Sequence, residues 1–128
     1  HPGGSLGKRL LSSVKDEMKQ SNLPFICQDS SVQDVLVRMT EGRLGLALVG
    51  TKENLNGVIT DGDIRRALID KSNFSELKAA DLMNKNPLTA LETDNLQLAE
   101  NRMREAKVQC LIVKNKINDV VGVIQIFE

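Results

Sequence analysis

Apolar positions recur along the chain in two passes of one pattern, offset by 64 residues. In residues 29–39, DSSVQDVLVRM, the apolar Val32, Val35, Leu36 and Met39 fall at i, i+3, i+4 and i+7, which places them on one helix face. Residues 93–103, TDNLQLAENRM, repeat the arrangement, with Leu96, Ala99, Met103 and then Ala106 forming a thinner stripe. Both stretches open on small polar residues suited to capping a helix, share a Gln at the same place and end on Arg-Met. A short apolar segment precedes each helix, residues 23–27 (LPFIC) and 87–91 (PLTAL). An acidic-x-Met turn precedes each segment, at Asp16-Glu17-Met18 and Asp81-Leu82-Met83. After each helix comes an unbroken apolar strand, residues 46–49 (LALV) and 110–113 (CLIV), then a polar turn, then Gly57-Val58-Ile59 and Gly122-Val123-Ile124. The first copy adds a helix predicted from Ile64 to about Asp70.

Each copy therefore reads strand, helix, strand, turn, strand, and the fold class is α+β. Unbroken apolar strands imply sheets covered on one or both faces. A copy of roughly 55 to 60 residues is too small to bury a good core alone. The two copies are expected to pack together about a pseudo-twofold axis.

Composition narrows the function. The chain has 128 residues and is 41% hydrophobic, enough for a core, but only 2% aromatic with no Trp or Tyr. The core must come from Leu, Val, Ile, Met and Ala, and the base-stacking platforms of single-strand nucleic-acid binders are missing. Seventeen basic residues balance seventeen acidic ones, so no net field draws the chain to nucleic acid or to a membrane surface. No apolar run approaches the ~20 residues that span a bilayer. Cys27 and Cys110 sit far apart inside apolar runs and read as reduced, buried thiols of a cytoplasmic protein. One His and two scattered Cys make no zinc site. The opening His1-Pro2-Gly3-Gly4 is neither an initiator Met nor a signal peptide, and the chain reads as a piece of something longer.

Over residues 14 to 128 this layout resembles the CBS domain pair, or Bateman module, in which two pseudo-twofold related β-α-β-β-α units pack through their sheets. The resemblance implies a first motif at 14–76 and a second at 77–128, the latter with its last helix truncated or absent. In that family adenosine or other nucleotide derivatives bind in clefts between the motifs. The family's ribose and phosphate signature stands here as Gly57-Val58-Ile59-Thr60-Asp61-Gly62-Asp63. The second copy departs from it, with Gln125 in place of Thr and Glu128 in place of Asp. One competent cleft is therefore expected, with a weaker one formed by Pro87, Leu88, Gln125 and Glu128. The run HPGGSLGKRLL followed by a CBS pair containing TDGDIRR also resembles the C-terminal part of bacterial D-arabinose-5-phosphate isomerases. That resemblance implies that residues 1–13 are a linker stub from an N-terminal sugar-isomerase domain, and that His1 matches a family active-site histidine. It further implies a place in Kdo supply for lipopolysaccharide or capsule, with CMP-Kdo as a regulatory ligand and no required cofactor. Homo-oligomers are expected, since CBS pairs associate through helices.

The signature also has a chemical rationale of its own. A helix N-terminus leaves backbone N–H groups unpaired and partly positive, which suits an anion, and the Thr60 hydroxyl adds a hydrogen bond. An ionised Asp63 suits paired ribose hydroxyls, and Gly62 permits close backbone approach. The same Thr60-x-x-Asp63 spacing also fits a capping box; the two readings are compatible. Arg65 and Arg66 point about 100° apart, so at most one is expected to face a ligand. Leu23, Pro24 and Phe25, with residues 87–90, either offer backbone groups to a nucleobase edge or are simply core strands. Lys85 and Asn86 line a cleft or form a surface turn. Asp61 with Asp63 lacks the further oxygen ligands of a metal site. No Ser-His-Asp or Cys-His pairing supports an autonomous enzyme. Two readings stand: an allosteric sensor of a nucleotide-like ligand such as CMP-Kdo or an adenine nucleotide, or an assembly module without a ligand.

Overall fold

A computed structural model describes residues 11–70 and 72–126. His1, with the rest of the HPGG run, and Glu128 lie outside them. The chain divides into two compact units, one of Asn22–Pro87 and one joining the segment up to Ser21 to the chain from Leu88 onward.

In the Asn22–Pro87 unit the elements are β1 (Phe25–Ile26), α2 (Val32–Gly42), β2 (Leu46–Gly50), β3 (Leu55–Thr60), α3 (Asp61–Asp70), a 3-10 turn at Phe74–Glu76 and α4 (Ala79–Leu82); α1 (Val14–Glu17) precedes them in the chain but belongs to the other unit. The sheet runs β1-β2-β3, with β1 parallel and β3 antiparallel to β2. Ser31 starts α2 because its hydroxyl accepts the Asp34 N–H at 3.1 Å, and Arg43 ends it in the left-handed region at φ 57°. Val32, Val35 and Met39 of α2 pack with Ala47 and Val49 of β2, Ile59, Ala67, Leu77, Ala79 and Leu82. Leu46 and Leu48, on the other face of β2, are buried as well, so the unbroken LALV run is explained by a strand covered on both sides. Ser31→Ala removes one cap acceptor and is expected to cost about 1 kcal/mol in a denaturant melt.

The other unit repeats the plan with α1, β4 (Thr89–Leu91), α5 (Leu96–Ala106), β5 (Cys110–Lys114) and β6 (Val120–Gln125). Its sheet runs β4-β5-β6 with the same directions. The registers correspond: Phe25 lies beside Leu48 in one unit and Thr89 beside Ile112 in the other. Even the β-bulge recurs, at Val49/Gly50 and at Val113/Lys114. Asn95 caps α5 by accepting the Leu98 N–H at 3.0 Å, and Lys107 closes it at φ 59°.

Packing and sequence order divide the chain differently. Helix α1, which leads into the first sequence copy, belongs to the unit of the second: Val14 N–H donates to Asp94 O at 2.8 Å and Lys15 N–H to Glu92 O at 3.0 Å. Helix α4, which leads into the second copy, belongs to the first unit, where Ala79 N–H donates to Ser30 O at 2.8 Å. Met18 and Met83 follow these helices and lie over Gly122 and Gly57, where a Cβ would come within 2.7 Å and 2.9 Å of the respective sulfurs. The repeated Gly-Val-Ile thus starts with glycine because a methionine and a crossing backbone occupy the space above it.

Several local expectations change. The acidic-x-Met turns are single helical turns in which Asp16 and Asp81 accept the N–H of Ser13 and Lys78, each at 2.9 Å. Helix α3 begins at Asp61 rather than Ile64, because Thr60 and Asp63 close its first turn. Leu36 is 41% exposed and Ala106 is exposed; only a narrow stripe of each helix meets its sheet. Cys27 is exposed rather than buried: β1 stops at Ile26, and the Cys27 carbonyl instead turns the chain by accepting from Ser30 N–H at 3.1 Å. Cys110 opens β5 at its end and is only half-buried. Among the described residues no helix is long and apolar enough to cross a membrane.

Candidate nucleotide site at the sheet end

Thr60 ends β3 and Asp61 starts α3, so one short stretch joins a strand end to a helix start. Thr60 pairs with Leu46 across the sheet. Phe25 sits beside Leu48 in parallel register, so β1 enters the sheet at the end where Leu46 pairs with Thr60. Residues 23–25 and 60–63 therefore share one end of the sheet, two strand spacings or about 10 Å apart.

The capping box is formed. Asp63 Oδ2 accepts the Thr60 N–H at 2.9 Å and the Thr60 hydroxyl at 3.1 Å, while Asp63 N–H reaches Thr60 Oγ1 at 3.4 Å. The other carboxylate oxygen, Oδ1, accepts from Arg66 Nη2 at 2.6 Å. Asp63 is only 12% exposed and Arg66 is 68% exposed, so a fixed carboxylate carries a movable guanidinium. Arg66 folds back over Gly62, where a Cβ would lie 3.4 Å from Nη1. Thr60, Gly62, Asp63 and Arg66 thus form one cluster. Asp61 is exposed at its edge and lies near Gly45, and Arg65 points elsewhere into solvent. Two carboxylates and two guanidiniums sit in the first turns of α3, so the helix start has no net charge. Asp61 and Asp63 already complement the helix dipole. Chemically, the arginines can meet a phosphate, and Asp63 Oδ1, now paired with Arg66, can accept from a diol.

The opposite side of this sheet end is more occupied than its sequence implied. Pro24 is buried, with its ring under Gly42, and its carbonyl accepts from Leu48 N–H at 2.8 Å. Leu23 and Phe25 are half-buried. Their carbonyls accept from Arg38, at 3.4 Å from Nη2 and 3.3 Å from Nε. In the sequence Arg38 stands out only as part of the repeated Arg-Met pair. Its counterpart behaves alike, as Arg102 Nη2 donates to Thr89 O at 2.9 Å. Recurrence of an arginine on a half-apolar helix face was the signal.

The corresponding place in the second copy is built differently. Gln125 ends β6 opposite Cys110, and Ile126 continues buried, with its N–H on Gln109 O at 3.0 Å. Leu88 O accepts from Ile112 N–H at 3.0 Å, as Pro24 O does in the first copy, and Pro87 closes the Asn22–Pro87 unit. Lys85 and Asn86 lie in an exposed turn, where Asn86 N–H donates to Asn84 Oδ1 at 3.0 Å. Among the described residues no group of three His, Cys, Asp or Glu side chains is arranged to hold a metal ion.

Comparison with known proteins gives consistent results. The CBS domain family model matches residues 14–70 and 79–126. A probable arabinose 5-phosphate isomerase of Haemophilus influenzae is 47% identical over 98% of this chain, which covers 37% of that protein. Arabinose 5-phosphate isomerase KpsF of Escherichia coli is 41% identical over the whole chain, covering 39% of that protein. The chain thus spans less than two-fifths of these curated relatives. Among solved structures, an uncharacterized conserved protein from Pyrococcus horikoshii aligns with a TM-score of 0.81 at 22% identity, covering 91% of this chain and 87% of that one. CBSX2 in complex with AMP aligns at 0.73 and 26% identity, covering 88% and 89%.

Proposed function

The chain belongs to the CBS domain family, and on that premise we propose that it is the regulatory part of an arabinose 5-phosphate isomerase, sensing a nucleotide or nucleotide sugar. The observation that carries this reading is the Asp63 carboxylate, fixed by Thr60 on one oxygen and paired on the other with the exposed Arg66. It offers a diol acceptor and a phosphate donor side by side at the end of a sheet. CMP-Kdo and adenine nucleotides are the ligand candidates. Likeness to the isomerases supports the first, and the AMP bound to a structural relative supports the second. Catalysis belongs to the rest of the parent protein; this segment contributes ligand response. For the response to reach an isomerase, the ligand must favour one arrangement of the chain over another.

Calorimetric titration with CMP-Kdo, CMP, AMP and ATP separates these candidates. Saturable binding of one of them is expected, and it stabilises the fold by RT ln(1 + [L]/Kd), about 2.7 kcal/mol at a hundredfold excess over Kd. No binding of any of the four at millimolar concentration sinks the reading.

A second reading, an assembly module, is favoured by apolar side chains on helix surfaces: Leu36 and Val37 on α2, Leu68 and Ile69 on α3, with Ile69 80% exposed. Under it, deleting residues 14–128 collapses the parent oligomer without altering any response to nucleotide, as light scattering would report.

A further inference from the structure

Strand β1 is the outer strand of its sheet. The Pro24 carbonyl faces β2 and takes the Leu48 N–H, whereas the Leu23 and Phe25 carbonyls face Arg38 of α2. An edge two ladder residues long, preceded by a proline that has no N–H, has little to hold it in place.

Arg38 supplies the missing partner. Its Nη2 and Nε span the two edge carbonyls at 3.4 Å and 3.3 Å, and Nη1 lies 3.7 Å from Glu41 Oε1 on the far side. The planar fork of a guanidinium suits two acceptors two residues apart, and a lysine ammonium does not reproduce it. Phe25 N–H also donates to the Leu23 carbonyl, at 2.9 Å. Every carbonyl of residues 23–25 thereby has a partner, at the sheet end where Leu46 pairs with Thr60. From β3 to β1 the sheet end spans two strand spacings, about 10 Å, of the order of a nucleoside's length.

We propose that Arg38 is a positioning residue that sets nucleobase preference in the Asn22–Pro87 unit, by holding residues 23–25 in the shape that meets the base. This rests on the nucleotide reading above. Arg38 touches no ligand itself. It acts on the base end of the site, whereas Thr60, Asp63 and Arg66 act on the sugar and phosphate.

The test measures the affinities of AMP, CMP, GMP, UMP and ribose 5-phosphate for the wild-type chain, Arg38→Met and Arg38→Lys. Methionine keeps the apolar stem and removes the fork; lysine keeps the charge and serves if the methionine variant does not fold. The wild type is expected to separate its best and worst bases by about tenfold or more, a 1.4 kcal/mol difference. Both variants should bring the four nucleotides to within about twofold of each other, below 0.5 kcal/mol, with ribose 5-phosphate binding unchanged. An undiminished spread in the variants overturns the role of Arg38. So does an equal loss for all five ligands, since that is what general loosening of the fold produces, and so does a wild type without base preference. A wild type that binds none of the five overturns the nucleotide reading itself, and this inference with it.

Discussion

Asp63→Asn is expected to weaken ligand binding by roughly 100-fold, about 3 kcal/mol, while the unliganded chain keeps its melting temperature to within a few degrees. Asparagine is the informative replacement because its side-chain oxygen still accepts the Thr60 N–H, so the first turn of α3 stays closed. What it loses is the charge and the second acceptor oxygen, the one that Arg66 now covers at 2.6 Å. Two charge-assisted hydrogen bonds to a ribose diol become weak or absent, which accounts for the size of the effect. The Asp63–Arg66 pair itself is mostly in solvent on the arginine side, and its loss should move stability by less than 1 kcal/mol. Calorimetry on both proteins checks the first part and a thermal melt the second. Unchanged affinity in the variant would remove Asp63 from the site.

Gly122→Val is expected to lower stability by about 3 kcal/mol, or roughly 10 °C in melting temperature. A Cβ at this position would lie 2.8 Å from the Lys19 carbonyl oxygen and 2.7 Å from Met18 Sδ. The sulfur sits on a flexible side chain and could move; the carbonyl belongs to backbone held by reciprocal hydrogen bonds between Lys19 and Val123, both 2.9 Å. Relief requires breaking those bonds and lifting the fully buried Val14 of α1 out of its core. Overpacking alone costs about 1–3 kcal/mol, and each lost hydrogen bond adds about 1. Differential scanning calorimetry reads the result directly. A melting temperature unchanged by valine would mean that α1 does not pack on β6.

Much of the fold was legible because the repeat matched at many points at once. The stripe Val32, Val35, Met39, the unbroken strands and the Gly-Val-Ile triplets each name one element, and their common order names the topology. Leu36 was misleading since helix periodicity does not say how wide a face the sheet will cover. Cys27 was misleading since an apolar neighbourhood in sequence does not locate the last ladder residue of a strand. The packing of α1 and α4 on the units of the opposite copies could not be read from sequence, because each is a single turn whose partners lie more than sixty residues away or in a loop. At the start of α3, the Thr60–Asp63 capping box was legible through its spacing. Arg66 over Gly62 and Arg38 on the β1 edge depend on side-chain reach across turns and elements, which no pattern of residue types reports.

A nucleotide-like ligand is expected at the Thr60–Asp63 end of the first sheet. A titration of the isotopically labelled chain with AMP and with CMP-Kdo, followed by backbone amide resonances, tests it residue by residue. The largest shifts should fall on Thr60, Gly62, Asp63 and Phe25, with Gln125 and the Asn115–Asp119 turn nearly still. Shifts concentrated instead around Gln125, or none at saturating ligand, would contradict it.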